Sequence, residues 1–258
     1  MTLASIANYS YARQSVSQHK HSGGVGRCSK SFWKHEEIKK YLGRLLPVLS
    51  KRSPGSHGLI IDMHAGDGEA TPHPQPDMFA GGALITTPHL AITMAEKWRA
   101  DVWLCERSHA PRKALRANYG GRARIFGNHS QLLNYADEIR SYPWVIVLND
   151  PNGHSDESNG VAIMRAIAET NPVSDFIIVC NHRSIRRHLG VGKKDNSKIP
   201  LALAVQATAG KYEWMLTPEN WKERLGKRQV MATEPMTLSP DMTAQVLLVS
   251  NFIPGHRS

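Results

Sequence analysis

The stretch Gly58-Leu59-Ile60-Ile61-Asp62-Met63-His64-Ala65-Gly66-Asp67-Gly68-Glu69 leaves this chain few ways to fold. An apolar run from Leu59 to Ile61 ends in an acid and passes straight into a turn with glycine at alternate positions. Such a run reads as a strand buried on both faces that stops beside a ligand. Gly66 and Gly68 carry no Cβ, so the turn can take positive φ and the backbone can approach a ligand closely. Asp62 falls at the carboxyl end of the strand, where open α/β sheets bind their ligands.

The pattern repeats downstream. Val102 to Cys105 is a second short apolar strand, followed by Glu106. Arg124 to Phe126 is a third, ending at Gly127-Asn128. Trp144 to Leu148 is the strongest strand signal and stops at Asn149-Asp150-Pro151-Asn152-Gly153. Phe176 to Cys180 is a fifth. Helices are expected over Ser31 to Leu49 (ended by Pro47 and then Ser53-Pro54-Gly55), Pro88 to Arg99, Pro111 to Tyr119 and Ser158 to Thr170. This alternation predicts an α/β fold with a mostly parallel sheet and helices on both faces. Gln229 to Thr233 and Ala244 to Asn251 add a late antiparallel hairpin, for seven strands in all. Thr71-Pro72-His73-Pro74-Gln75-Pro76 excludes regular structure, so residues 71–87 read as a loop inserted above the pocket. Residues 1–30 read as a flexible basic arm ahead of a single domain spanning 31–258.

Composition narrows the class. The chain has 258 residues, 41% of them hydrophobic, enough for one large domain with a sizeable core. No apolar run approaches the roughly 20 residues needed to cross a bilayer, and no secretory signal is visible. Cys28, Cys105 and Cys180 are too scattered for a disulfide framework or structural zinc, so a cytoplasmic setting is expected. His19 and His21 with Cys28 fit no ligand spacing, and no metal site is predicted.

The net charge is +10, from 32 Lys and Arg against 22 Asp and Glu. The excess is clustered, as a polyanionic partner rewards. Ahead of the glycine turn lie Lys30 and Lys34 among many cations, opposed only by Glu36 and Glu37. A second run, Arg183, Arg186, Arg187, Lys193, Lys194 and Lys198, is answered by Asp195 alone in a glycine-containing loop over 183–200. Trp214, Trp221, Lys222, Arg224, Lys227 and Arg228 then interleave aromatic and basic groups, as a nucleic-acid groove requires. The alternative for each cluster is a solvated face.

The ligand chemistry follows from the acids. Asp62 and Glu106 end successive strands, the place where an acid can accept both hydroxyls of a ribose. A dinucleotide site would want a glycine pattern free of acids to hold pyrophosphate. Asp67 and Glu69 would repel pyrophosphate but suit a cation. The sulfonium and amino group of S-adenosylmethionine fit that requirement.

On these residues the chain resembles the class I S-adenosylmethionine-dependent methyltransferases. Asp62-Met63-His64-Ala65-Gly66-Asp67-Gly68 looks like their first motif, Glu106 like their second-strand acid and Asn128 like their adenine-contacting position. Asn149-Asp150-Pro151-Asn152 resembles a variant of the Asp/Asn-Pro-Pro-aromatic motif of DNA adenine N6-methyltransferases of phage and mobile-element type. The segment from Lys34 to Gly66 is also similar to the three-Cys-motif partner proteins. The resemblance implies a Rossmann-like methyltransferase fold, S-adenosylmethionine as cofactor and a nucleic-acid acceptor, DNA ahead of RNA. It implies that Asp150 and the Pro151 carbonyl grip the target amine, with Asn149 or Asn152 adding a hydrogen bond. The family's second proline and its aromatic are Asn152 and Gly153 here. A flipped base still needs a stacking surface, which Trp33, Trp144 or Trp214 would have to supply. The rival readings are a methyltransferase of RNA or protein, and a degenerate domain that binds a partner without catalysis.

Overall fold

The computed structural model describes residues 31–68, 86–151, 154–181, 217–239 and 242–251. The N-terminal arm, nearly all of the expected 71–87 loop and the basic 183–200 loop lie outside the described residues.

Helix α1 (Ser31–Arg52) leads into β1 (Gly58–Asp62), then α2 (Thr87–Trp98), β2 (Ala100–Cys105), α3 (His109–Tyr119) and β3 (Arg124–Phe126). A 3-10 helix (His129–Tyr135) and α4 (Ala136–Ser141) precede β4 (Val145–Asn149). Then come α5 (His154–Thr170), β5 (Asp175–Asn181), α6 (Pro218–Arg224), β6 (Gln229–Ala232), β7 (Met236–Ser239) and β8 (Met242–Ser250). The sheet order is β3-β2-β1-β4-β5-β8-β6, with β7 also paired to β8. β1 to β5 pair in parallel, and β8 runs antiparallel to β5, β6 and β7.

The expected architecture is therefore present: a Rossmann-like α/β sheet, mostly parallel, with a late antiparallel pair. The strands number eight in seven positions, because β6 and β7 share one edge of β8. Ala232 lies opposite Leu247 and Met236 opposite Ala244. Thr233 bridges the gap, its amide donating to the Val246 carbonyl at 3.0 Å and its hydroxyl accepting from the Val246 amide at 3.1 Å. Pro235 has no N–H to continue the ladder, which splits one strand into two.

Both faces of the sheet are buried. Ile60, Ile146, Leu148 and Ile177 meet α1 and α2 through Ile38, Leu42, Leu45, Leu46, Leu90 and Ala91 on one side. Leu59, Ile61, Val145, Val147 and Phe176 meet α5 through Ile163, Met164 and Ile167 on the other. The apolar strands without alternation follow from this double covering. Helix α1 runs past the expected stop and contains Pro47. Leu45, Leu46 and Leu49, all buried, hold its last turns against the core, and that packing outweighs the proline's lost hydrogen bond.

Gly58 and Trp144 face each other where β1 begins. A Cβ on Gly58 would lie 2.1 Å from the Trp144 ring, and Trp144 is itself 1% exposed. Gly58→Ala should therefore destabilise the protein by roughly 2 kcal/mol or more through overpacking. Urea unfolding of the variant measures this, and an unchanged midpoint would show that the ring moves aside freely.

Candidate functional site

Parallel register brings the candidate residues to one edge. Asp62 lies beside Leu104 of β2 and Leu148 of β4, and Asn149 beside Ile178 of β5. Residues that follow these strands must converge at the carboxyl edge, the ligand-binding edge of such sheets.

The glycine turn is fastened to both neighbouring strands. Past the end of β1, the Met63 amide donates to the Leu148 carbonyl of β4 at 3.0 Å, and the Ala65 amide to the Cys105 carbonyl of β2 at 2.9 Å. The Gly66 amide donates to Glu106 Oε2 at 3.0 Å, and Glu106 Oε1 accepts from the Ser108 amide at 2.6 Å. Gly66 and Gly68 have φ of +64° and +68°, the left-handed region that favours glycine. Nothing lies within 4 Å of where a Gly66 Cβ would stand, whereas one on Gly68 would strike the Tyr119 ring at 2.5 Å. Tyr119 also clamps the turn, its hydroxyl donating to the Gly68 carbonyl at 2.9 Å.

Asp62 is fully buried. Its Oδ1 accepts from the His64 amide at 3.0 Å, and its Oδ2 has no hydrogen-bond partner among the described residues. Burial pushes this carboxyl up to about 7. The Thr87 hydroxyl and the His64 amide oppose the rise, while the charges of Asp150 and Glu106 add to it. A cation in the turn would favour the charged form of Asp62.

His64 joins the turn to β4. Its Nε2 lies 3.1 Å from Asn149 Oδ1, an acceptor, so the pairing calls for the Nε2–H tautomer. Its ring meets His129 edge-on at 5.3 Å. Gly160 of α5 makes room for this contact, since a Cβ there would stand 3.1 Å from Asn149 Oδ1. Asn149 is 1% exposed, and its side-chain oxygen faces His64 across the pairing of β1 with β4. Asn128 sits at the end of β3 as expected, but its Oδ1 caps the 3-10 helix by accepting from the Ser130 amide at 3.2 Å.

Asp150 and Pro151 follow β4, and Asp150 Oδ2 accepts a hydrogen bond from the Lys34 ammonium of α1. This tie between residues 116 apart had no local signal in the sequence, which presented Lys34 as a phosphate contact. The adjacent His35 is buried, with Nδ1 unpartnered among the described residues. Burial first and Lys34 second pull its imidazole down to about 4 against the pull of Asp150, so it is neutral.

Several expectations change. Trp144, buried against Gly58, cannot stack on a base; Trp33 packs half-buried on the core, and Trp214 lies outside the described residues. The C-terminal basic and aromatic run turns partly inward. Trp221 is 2% exposed and Lys227 7%, the lysine donating to the Pro172 carbonyl at 2.8 Å. Cys105 and Cys180 are buried strand residues, and burial pushes the Cys105 thiol well up, which makes it a poor nucleophile. Asn152, Lys30, Arg183, Arg186, Arg187, Lys193 and Lys194 lie outside the described residues. No helix among the described residues is long and apolar enough to cross a membrane.

The chain matches no protein-family model and no curated protein. Solved structures do resemble it. A protein from Legionella pneumophila str. Philadelphia 1 superposes with a TM-score of 0.55 at 11% identity, over 88% of this chain and 86% of that one. The methyltransferase domain of METTL16 gives 0.43 at 9% identity, over 82% and 66%. Magnesium protoporphyrin IX methyltransferase from Synechocystis PCC 6803 with bound S-adenosylmethionine gives 0.38 at 11% identity, over 88% and 86%. At these identities the first likeness extends to the fold alone, and the other two scores are too low to argue from.

Asp62 yields a pH prediction. Its folded carboxyl keeps a proton up to about pH 7, whereas the unfolded chain loses it near 3.8. Folding takes up a proton between those values, so this group's contribution to stability falls as pH rises through that window and is flat above it. Chemical denaturation from pH 5 to 8 should show a steeper decline for wild type than for Asp62→Asn. Parallel profiles would contradict the buried, proton-holding carboxyl.

Proposed function

We propose that this protein is an S-adenosylmethionine-dependent methyltransferase that acts on an exocyclic amine of nucleic acid, adenine N6 in DNA above all. The observation that carries the reading is the meeting, on adjacent strands β1 and β4, of an acid-ringed glycine turn and an Asp-Pro pair. The His64–Asn149 contact joins the two.

The residues of the turn fit a sulfonium nucleoside. Among the described residues, Gly66 leaves open space at positive φ, and Asp62 has a buried oxygen without a hydrogen-bond partner. Glu106 uses one position on each oxygen for the backbone, and a carboxylate oxygen has a second lone pair to offer a ribose hydroxyl. Ala65 and His64 would line the methionine side and Asn128 the adenine side. The cofactor supplies a methyl group made electrophilic by the positive sulfur.

On the acceptor side, Asp150 and the Pro151 carbonyl accept hydrogen bonds from the two amine N–H groups. They direct the nitrogen lone pair toward the methyl carbon. Transfer would be a direct displacement, in which the nitrogen–carbon bond forms as the carbon–sulfur bond breaks, the neutral thioether leaves and the surplus amine proton passes to solvent, so the protein would contribute alignment and electrostatics instead of a covalent intermediate. Among the described residues the two thiols, Cys105 and Cys180, are buried, which suits a route that uses no cysteine nucleophile. The basic charge of the chain supports a polyanionic substrate. With no compact base-reading module evident in the sequence, selectivity is expected to be low or confined to a short context.

Calorimetry with S-adenosylmethionine tests the cofactor half, and absence of binding would refute the enzyme reading. Asp150→Ala should lose methyl transfer by at least about 100-fold while keeping cofactor affinity. A folded variant with full activity would remove Asp150 from the mechanism. Labelled cofactor offered DNA, RNA and protein together should mark DNA, and label in protein alone would overturn the substrate assignment.

A further inference from the structure

The Lys34–Asp150 pair differs from the other described ion pairs. Its side chains are 15% and 13% exposed, whereas each other pair has a partner at least 43% exposed. Exposed pairs of that kind contribute little. A nearly buried pair between distant elements fixes geometry, and losing one partner strands the other charge.

The lysine is also held firmly. One to about three turns along α1, Ile38, Tyr41, Leu42, Leu45 and Leu46 are at most 3% exposed and bind the helix to the sheet. The start of α1 therefore reaches Asp150 from a rigid support, which is the arrangement that aligns a functional group well. Asp150 in turn stands in an acid-rich place, with its charge felt at Asp62. Among the described residues Lys34 is the cation paired with it, and neighbouring His35 is neutral.

We propose that Lys34 is a positioning residue for the acceptor site. Its ammonium holds Oδ2 of Asp150, which leaves Oδ1 to receive the amine N–H and fixes the plane of the carboxylate. This rests on the reading of Asp150 as the group that grips the acceptor. It replaces the expectation that Lys34 contacts phosphate. Alignment of the attacking nitrogen is most of what such an enzyme supplies, and a shift of about 1 Å costs about 100-fold in rate. The loss should therefore appear in kcat.

The test uses the full chain, tritiated S-adenosylmethionine and adenine-containing duplex DNA. Lys34→Met should lower kcat roughly 10- to 100-fold, with cofactor Kd and the KM for DNA within about twofold of wild type. Lys34→Arg should recover much of the loss. Thermal melts check folding, and Lys34→Gln serves if the Met variant does not fold. In an Asp150→Asn background, adding Lys34→Met should cost nothing further, because the partner is already gone.

A raised KM with unchanged kcat, and a salt slope shallower by about 1, would make Lys34 a phosphate contact and overturn the proposal. A higher kcat would overturn it too, by showing the ammonium to be an occupant that the acceptor must displace. Failure of the underlying reading is distinguishable. If wild type transfers no label to DNA, or Asp150→Ala keeps full activity, the Asp150 assignment falls first. If Asp150→Ala is inert while Lys34→Met is fully active, only the present inference falls.

Discussion

Two backbone hydrogen bonds beyond the end of β1 hold the site together. Met63 bonds to β4 and Ala65 to β2, on opposite sides of the same turn. A turn tied to one neighbour could swing; tied to both, it must continue along the sheet's edge until the two glycines release it. Glu106 and Tyr119 then fix where the released backbone goes. Everything proposed for the cofactor depends on this anchoring, and so does the closeness of Asp62 to Asp150.

The electrostatics are inverted relative to the whole chain. The protein is strongly basic, yet Asp62, Glu106 and Asp150 converge on its carboxyl edge, and one of them is buried enough to hold a proton near neutral pH. A buried carboxylate without a counter-ion is costly. The structure offsets one of the three with Lys34 and leaves Asp62 to a proton or to an arriving cation. The sulfonium ligand and amine acceptor proposed above suit such a site, while the net positive charge of the chain suits the phosphate backbone that would carry the amine.

What the sequence disclosed was whatever is written locally. The β1 run, its acid and its glycines predict a buried strand and a turn, because burial on both faces and positive φ each leave a residue-type signature. Glu106 and Asp150 could be placed because they directly follow apolar runs. Features that depend on distant packing stayed hidden. Pro47 signals a helix end, and only the burial of Leu45, Leu46 and Leu49 explains why α1 continues. Trp144 offers an aromatic surface until Gly58, 86 positions earlier, is seen beneath it. Lys34 reads as a free surface cation until α1 brings it to Asp150. The partner of the Asn149 side chain, His64, lies 85 positions earlier and shows only once β1 and β4 pair.

Identification of the methylated product tests the whole scheme most directly. DNA incubated with the protein and S-adenosylmethionine would be digested to nucleosides and analysed by mass spectrometry. The proposed grip of Asp150 and the Pro151 carbonyl on an exocyclic amine predicts N6-methyldeoxyadenosine, absent when Asp150 is replaced by alanine. Methylcytosine carrying the methyl on ring carbon, or DNA left unmodified while the methyl group enters protein, would contradict it.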